Sequence, residues 1–334
     1  MSAAAVTQLE QLSDEDWDAA LAASGQPYRF SHRAAAGRAF EAAYPEYSYE
    51  PYRVTYRDGT VALAPLVRAQ RRLHALTRML SMPLGLEGTP VVREGNLTSA
   101  HVAGLFDALD DCGCLTLHGG AGGSPPAGGN SVSETTHILD LSVGFEALWS
   151  DSFSPTNRNK VRKAEKRGID VREEPPAELA DTYYEIYAEA SGKWGYAVPP
   201  YPRSLFQALF DSGDAELWLA REDGTPVAGS ILLRGSQDVL YWSTAILPGK
   251  QQLAPNNALL AAAIRSACER EVAYLDFGAS KGLPGLEKFK QSFGAQAREY
   301  TVVDVYSRRY VAAARLQRGH KRVRAIWPDA SRTR

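Results

Sequence analysis

Lys290 is the residue of this sequence best placed to do chemistry, because it follows a glycine-rich loop on a short predicted helix. The segment Asp276–Gly294 predicts a strand, a Gly/Ser/Pro-rich loop and a helix that Gly294 ends. A lysine on such an element can place a fixed positive charge where a substrate carbonyl becomes an oxyanion. The alternative is a solvated lysine in the last turn, where its charge suits the helix dipole. Lys288 competes for the role from another face of the helix.

The composition is that of an ordinary globular protein long enough for two domains. The 334 residues are 44% hydrophobic and 23% charged, with a net charge of -2, and a domain usually takes about 100 to 200 residues. This balance argues against nucleic-acid binding over the whole surface, although local basic patches remain compatible with it.

The cysteines and the N-terminal residues predict a cytoplasmic protein. Cys112, Cys114 and Cys268 are odd in number and lack metal-site spacing, as expected of reduced thiols. Acidic residues occupy the region where a secretory signal would need positive charge, and no stretch approaches the roughly 18 apolar residues of a membrane span. The sequence indicates no metal site and no nucleophile triad.

An internal repeat organises the chain. The segments 52–64 and 217–230 each predict a strand, an Asp-Gly turn and a second strand. Asp-Gly between β-rich runs favours a type I′ turn, whose two central residues need positive φ. The turns lie 223 − 58 = 165 residues apart, about half the chain, so we predict a duplicated domain.

The elements around the hairpins predict a mixed α/β (α+β) fold of two tandem domains, each a mixed central sheet flanked by helices. We place the first domain at 1–145, the second at 146–305 and a basic helix or tail at 306–334. The predicted helices are Leu9–Ala23, His32–Ala43, Ser99–Asp110, Asn157–Arg167, Leu179–Ser191, Arg203–Asp211 and Asn256–Arg270, and Gly119–Asn130 is a predicted surface loop.

This order of elements resembles the Gcn5-related N-acetyltransferase (GNAT) fold, and the second half resembles its FemABX-like, or aminoacyltransferase, branch. The resemblance covers roughly residues 150–305 and rests on the helix Asn157–Ala164, the hairpin Ala220–Ser230, and the run from Asp276 to Lys290. The first half looks like the family's degenerate first domain. The resemblance implies an enzyme that passes an aminoacyl group from aminoacyl-tRNA to an amine of a cell-wall precursor or small molecule.

By this resemblance, Phe289 and Lys290 match the family's active-site pair, with Lys290 stabilising the tetrahedral intermediate. An aminoacyl ester is already activated, so the enzyme needs positioning and an oxyanion partner more than a nucleophile of its own. The predicted substrate contacts are Lys193, Trp194, Tyr196, Tyr201, Tyr241, Ser243, Asp276 and, in the first domain, Arg38 for an acceptor phosphate. Aromatic residues on a strand are alternatively core residues.

The sequence favours aminoacyl-tRNA over acyl-CoA as the donor substrate and predicts no cofactor. Acyl-CoA enzymes of the superfamily hold pyrophosphate with an [Arg/Gln]-x-x-Gly-x-[Gly/Ala] loop at a helix N-terminus, whereas 247–257 has one glycine and Pro255 lacks an amide. Nine basic residues in 308–334, with Tyr310 and Trp327, could bind RNA, as could six on one predicted helix: Arg158, Lys160, Arg162, Lys163, Lys166 and Arg167. A solvated helix face and an unstructured tail are the alternatives.

Two other functions stay open at this stage, an acyl-CoA-dependent N-acyltransferase and a non-catalytic tandem module that binds RNA or a partner. A protein kinase is not indicated, because no His-Arg-Asp loop or Gly-rich strand loop accompanies Asp276-Phe277-Gly278. A dinucleotide site is not indicated, because Gly119–Gly123 lacks the GxGxxG spacing and a following helix.

Overall fold

The chain divides into two compact units, residues 1–134 with 299–334 and residues 135–298. The computed structural model describes residues 3–70, 76–94, 97–119, 125–280 and 282–319. Each unit holds a mixed sheet with helices packed on it, so the predicted fold class is confirmed. The predicted tail from residue 320 onward and Lys281 lie outside the described residues.

The elements of the first unit are β1 (Val6–Gln11), α1 (Asp14–Ala23), α2 (Ala34–Ala43), β2 (Tyr47–Tyr56), β3 (Val61–Ala69), β4 (Arg78–Leu80), β5 (Val91–Glu94), α3 (Ser99–Ala108), β6 (Cys114–His118), most of β13 (Gln296–Tyr306) and α10 (Arg308–Gly319). Its strand order is β1-β2-β3-β4-β6-β13, with β5 paired to β3. Its sheet is antiparallel except for β4 and β6, which run parallel. Residues 9–11, predicted as helix, belong to β1. The helix begins only after Ser13, whose hydroxyl accepts the amide of Asp16.

The elements of the second unit are β7 (Gly129–Asp140), α4 (Phe145–Ala147), α5 (Pro155–Lys166), β8 (Ile169–Glu174), α6 (Pro176–Lys193), α7 (Arg203–Asp211), β9 (Ala215–Glu222), β10 (Thr225–Arg234), β11 (Asp238–Ile246), α8 (Pro255–Glu269), β12 (Tyr274–Ala279) and α9 (Pro284–Gln291). Its strand order is β7-β12-β11-β10-β9-β8, and among these described strands β11 and β12 run parallel while the other neighbours run antiparallel. A π-helical turn, Leu148–Ser152, precedes α5.

Two strands cross the boundary between the units along the chain. β7 pairs with β12 through Thr136–Asp140 in the second unit, and β13 pairs with β6 through Val302–Tyr306 in the first. The parallel pair β11–β12 thus has an antiparallel neighbour, β7, whose first residues fall in the sequence range of the first unit. The parallel pair β4–β6 has an antiparallel neighbour, β13, whose first residues fall in the sequence range of the second unit. Residues 299–305 therefore belong to the first unit and residues 135–145 to the second. The sequence analysis had assigned 299–305 to the second domain and 135–145 to the first. Hydrophobic alternation locates a strand but does not name its pairing partner.

The two Asp-Gly hairpins form as predicted, but their turns differ. Between β9 and β10, Asp223 has φ 51° and Gly224 has φ 78°, as a type I′ turn requires. Between β2 and β3, the prediction of a type I′ turn is wrong, because Gly59 has positive φ but Asp58 does not. There the Asp58 carboxylate accepts the amide of Thr60 at 3.0 Å, and this local bond favours a longer loop.

The sheet of the second unit packs its apolar face against α5 and α8. Leu139 and Leu275 from the sheet share one buried cluster with Val161 of α5 and Leu259 of α8. α5 begins at Pro155, with the Ser154 hydroxyl accepting a first-turn amide at 3.1 Å. α6 contacts β9, β10 and β11, and it packs against α7.

Candidate active site

The candidate site lies where the two parallel strands of the second unit separate. β11 and β12 pair only through Asp238–Leu240 and Tyr274–Asp276, although β11 continues to Ile246 and β12 to Ala279. Beyond these pairs, the backbone groups that would have joined the strands need other partners. We call this region the strand gap.

A β-bulge in β12 shapes the edge of the strand gap. Asp276 pairs with Ile138 and Ala279 with Thr136, so Phe277 and Gly278 lie opposite the single residue His137. Gly278 has φ +67°, a conformation that favours glycine. One oxygen of the Asp276 carboxylate accepts both the Gly278 amide, at 2.7 Å, and the Thr136 hydroxyl. Asp276 therefore holds the bulge in place.

Lys290 reaches this bulge from α9. Its side chain is only 2% exposed, and its Nζ donates to the Gly278 carbonyl at 2.5 Å. Burial lowers the pKa of Lys290 to about 8, while the charges of Asp276 and Glu287 raise it. Lys290 is thus not the solvated lysine of the alternative interpretation, and it remains a cation near neutral pH.

Two buried polar groups that the sequence analysis missed lie close to the bulge, with His137 opposite it and Ser280 just after the end of β12. His137 and Ser280 are each 2% exposed, and within the described part of the chain His137 Nδ1 and Ser280 Oγ have no hydrogen-bond partner. Burial, and then the charge of Lys290, lower the pKa of His137. The only sequence signal was a histidine within the run Thr135-Thr136-His137-Ile138-Leu139, and that pattern is equally typical of a core histidine.

A pocket of about 340 Å³ lies between the starts of α5 and α8 and the length of α9. We call it the three-helix pocket. Its two cations are Lys160 and Lys288, and Phe289 forms part of its wall. Lys288 therefore contributes to this pocket, whereas its neighbour Lys290 lies at the bulge. The remaining lining residues are Ser154, Thr156, Asn157, Asn257, Gly285 and Ser292.

A buried amide pair joins two helices at the three-helix pocket. Asn157 is 1% exposed and accepts the Asn257 Nδ2 hydrogen at 2.6 Å, and its own Nδ2 donates to the Ser292 carbonyl at 3.3 Å. The pair ties α5, α8 and the end of α9 together.

Replacing Asn157 by Ala is expected to lower the free energy of unfolding by about 1 to 3 kcal/mol, because it leaves the buried Asn257 side-chain amide without its acceptor. The Ser292 carbonyl keeps its bond from the Ser154 amide at 2.8 Å. Urea unfolding followed by circular dichroism measures the change. Asn159→Ala on the exposed face of α5 is the matched control and should stay within about 0.5 kcal/mol of wild type. Equal stability of both variants would contradict a structural role for the amide pair.

The aromatic substrate candidates gather beside α6 and α7. The Tyr201 ring stacks on Tyr187 at 6.0 Å and on Trp242 at 5.3 Å between centroids. Trp194 contacts the edge of Tyr187 and is 52% exposed. Lys193 is exposed at the end of α6 and Tyr196 is half-buried. This aromatic cluster gives the second unit a partly open stacking surface.

Tyr241 and Ser243 point to opposite sides of the sheet. The β10–β11 register shifts between them, because Leu232 pairs with Tyr241 and Ile231 with Ser243. The Tyr241 hydroxyl donates to Asn256 at 2.8 Å within the α8-side core, whereas the Ser243 hydroxyl bonds with Tyr183 at 2.7 Å. Both hydroxyls thus have protein partners.

Arg38 lies on α2 of the first unit, where it makes several ion pairs. It bonds to both carboxylate oxygens of Asp14 and to Glu41, and it lies over the Tyr49 ring at 5.3 Å. These bonds raise the pKa of its guanidinium further. An acceptor phosphate would have to compete with these carboxylates.

The six basic residues of the α5 segment cover the side of the helix away from its buried residues. Arg158 donates to the Trp149 and Ser150 carbonyls of the π-helical turn and to the Phe153 carbonyl just after it. Arg162 lies over the Trp149 ring. The other four are exposed: Lys160, Lys163, Lys166 and Arg167, which also donates to the Gln252 carbonyl. Two of the six thus stabilise the turn before α5, and of the four exposed ones Lys160 lines the three-helix pocket.

Comparison with protein families places the site in a defined class. Residues 152–291 match the model of the acetyltransferase (GNAT) domain, a range that contains the strand gap and the lining residues of the three-helix pocket except Ser292. The second unit is therefore a GNAT acyltransferase domain, and the protein is an acyl-transferring enzyme. No protein of curated function matches the sequence.

The fold of nearly the whole chain recurs in solved structures. FemX matches with a TM-score of 0.69 at 15% identity, over 92% of this chain and 99% of its own. The C-terminal domain of a putative lysylphosphatidylglycerol synthetase from Agrobacterium fabrum gives 0.60 at 10%, over 91% and 97%. A tandem GNAT protein from the clavulanic acid biosynthesis pathway gives 0.53 at 14%, over 90% and 98%. The predicted resemblance to the FemABX-like branch is confirmed for the fold.

In the residues that the structure describes, no group of three or more His, Cys, Asp or Glu side chains is arranged to hold a metal ion. None of the described helices has the length and apolar character needed to cross a membrane.

Proposed function

We propose that this protein forms an amide bond by moving an aminoacyl group from aminoacyl-tRNA to an amine of a small molecule or cell-wall precursor. The observation that carries the proposal is the buried Lys290 cation at the edge of the strand gap. A fixed cation in a water-poor site suits a reaction that develops negative charge on a carbonyl oxygen. The shared fold with FemX and with a putative lysylphosphatidylglycerol synthetase supports an aminoacyl group.

The reaction needs no enzyme nucleophile. The acceptor nitrogen attacks the ester carbonyl carbon, a C–N bond forms, and the carbonyl oxygen becomes an oxyanion that the Lys290 ammonium stabilises. The intermediate collapses as the C–O bond to the ribose breaks, and the ribose oxygen leaves as an alcohol. Positioning and electrostatics supply the acceleration.

The three-helix pocket suits the nucleotide end of the donor. Lys160 and Lys288 are two cations that can pair with phosphate, and the N-termini of α5 and α8 add the positive ends of their helix dipoles. Phe289 borders the pocket while the next residue, Lys290, reaches the bulge. α9 would therefore hold the end of the donor and the oxyanion partner on one rigid element. Lys163 and Lys166 extend the basic surface for the tRNA backbone.

The loop before α8 is poorly equipped for the pyrophosphate of acyl-CoA. The Gly249 amide donates to the Gln251 side chain at 3.0 Å, and the amides of Leu253 and Ala254 donate to carbonyls of the same loop. Pro255 at the first helical position has no amide. The loop amides that could bind a pyrophosphate are therefore bonded within the loop or, at Pro255, absent. This supports a tRNA donor over acyl-CoA.

Transfer from labelled donors tests the proposal. We would incubate the protein with tRNA charged with mixed radiolabelled amino acids and a small-molecule amine fraction, and in parallel with labelled acetyl-CoA. After alkali treatment, label that chromatographs apart from the free amino acid or acetate reports amide formation, because ester- and thioester-bound label is released in those free forms. We expect transfer from charged tRNA alone, abolished when the tRNA is first digested with RNase.

The other outcomes distinguish the competing functions. Transfer from acetyl-CoA that is insensitive to RNase would replace the donor proposal with an acyl-CoA-dependent N-acyltransferase. Tight tRNA binding without transfer from either donor would indicate a non-catalytic module.

A further inference from the structure

The two unpartnered polar groups near the bulge, on His137 and Ser280, are unusual, because most buried polar side-chain atoms in folded proteins have a hydrogen-bond partner. In the described part of the second unit, His137 Nδ1 and Ser280 Oγ are both buried and both without one. Two unsatisfied buried groups within a few residues of the bulge that holds Lys290 suggest that a substrate supplies the missing bonds.

The strand register places one group on each side of the Thr136–Ala279 pair. Because the two strands are antiparallel, His137 lies on the bulge side of this pair, and Ser280 follows Ala279 on the other side, where β12 ends. His137 is the single residue opposite the bulge, whose Gly278 carbonyl holds Lys290. The charged groups that act on His137 are Lys290 and Glu287 from α9 and Asp276 from β12.

We propose that His137 Nδ1 and Ser280 Oγ bind the acceptor amine, and that His137 accepts the proton that this nitrogen loses when it attacks the donor carbonyl. This inference rests on the proposed function and adds to it the residues that receive the amine. The ligand class is a primary amine that arrives as an ammonium ion, whose N–H groups can donate to an imidazole nitrogen and a hydroxyl oxygen.

The proton balance of this step is complete. The ammonium transfers one proton to neutral His137, and the freed lone pair forms the C–N bond. When the C–O bond to the ribose breaks, the leaving oxygen takes one proton from the intermediate's nitrogen, directly or through His137. The overall reaction releases the remaining proton to solvent, and Lys290 stays charged throughout.

The surroundings suit a proton acceptor. Burial and the neighbouring Lys290 charge favour the neutral imidazole, which alone has a free lone pair at Nδ1. The same neighbours set the order of titration, with the pKa of His137 below its usual value and that of Lys290 at about 8. The reactive form therefore has neutral His137 and charged Lys290, and it exists between these two pKa values.

His137→Asn tests the inference, because asparagine can still hydrogen-bond but cannot accept the proton. We expect kcat to fall about 100-fold or more and the acid limb of the pH–rate profile to disappear. Ser280→Ala should instead raise the KM for the amine with a smaller effect on kcat. His118→Asn is the matched control, because His118 also has a buried, unpartnered Nδ1 but belongs to the first unit; its pH–rate profile should match wild type.

Each outcome has a defined meaning, and the assay runs with whichever donor gives turnover. If His137→Asn keeps the wild-type kcat and acid limb, the inference is overturned while the proposed function stands. If the wild-type protein transfers nothing from either donor, the proposed function fails and this inference fails with it. If thermal melting shows that His137→Asn is unfolded, His137→Gln is measured with the same expected loss of the acid limb.

Discussion

Replacing Lys290 by Met is expected to lower kcat by about 100- to 1,000-fold, the usual effect of removing one oxyanion partner, while making the folded protein more stable near pH 7. Methionine fills a similar volume but has no charge to stabilise the intermediate. Steady-state transfer assays and unfolding curves on the same preparation measure both effects. Loss of activity together with a gain in stability would separate a catalytic lysine from a structural one.

The sign of the stability effect follows from the pKa of Lys290, which the fold lowers from 10.5 to about 8. Between these values the unfolded chain binds more protons, so the stability of the wild type rises with pH across this window. Below pH 8 the buried charge costs about 3 kcal/mol, and methionine removes that cost. The advantage of Lys290→Met should therefore be largest at pH 7 and vanish above about pH 10.5.

A matched lysine serves as the control for this prediction. Lys250 makes a partly exposed ion pair with Glu222, and such pairs contribute little to stability. Lys250→Ala should change neither kcat nor the pH dependence of unfolding. Wild-type turnover in Lys290→Met would remove Lys290 from the mechanism, and a strong loss of stability would show that its bond to Gly278 is structural.

Replacing Asp276 by Asn is expected to move the whole pH–rate profile to lower pH. A single carboxylate oxygen accepts both the Gly278 amide and the Thr136 hydroxyl, and an amide oxygen can accept the same two bonds, so the bulge should persist. The negative charge is lost, and that charge raises the pKa values of both Lys290 and His137. Both values should therefore fall.

The effect is largest on the alkaline side of the profile. There the fraction of charged Lys290 decreases tenfold for each pH unit above its pKa, so at pH 8 and above the variant should be at least several-fold less active than wild type, with recovery toward lower pH. Asp140→Asn is the matched control, because Asp140 is an exposed aspartate of β7 whose carboxylate accepts the amide and the hydroxyl of Ser142. An alkaline limb at the wild-type pH in Asp276→Asn would show that Lys290 does not set it.

The local sequence was enough to predict most secondary structure and the fold class. Gly224 and Asp223 predicted a type I′ hairpin, and Arg203–Asp211 is a helix with the bounds that its apolar spacing indicated. The glycine-rich run before Lys290 also predicted a strand, a loop and a helix, which are β12, the loop after it and α9. These features depend on residues close together in the chain, where backbone preferences and periodicity act directly.

The tertiary structure alone decided how these elements become a candidate site. The sequence identified Lys290 as a candidate through its place after a glycine-rich loop and through a family resemblance, but its burial and its bond to Gly278 depend on α9 packing at the end of β12. His137 lies more than 150 residues before Lys290 in the chain, and its place opposite the bulge depends on β7 pairing with β12 rather than with a strand nearby in sequence. Strand pairing over such separations is set by the packing of the whole unit, so no local pattern in one sequence can reveal it.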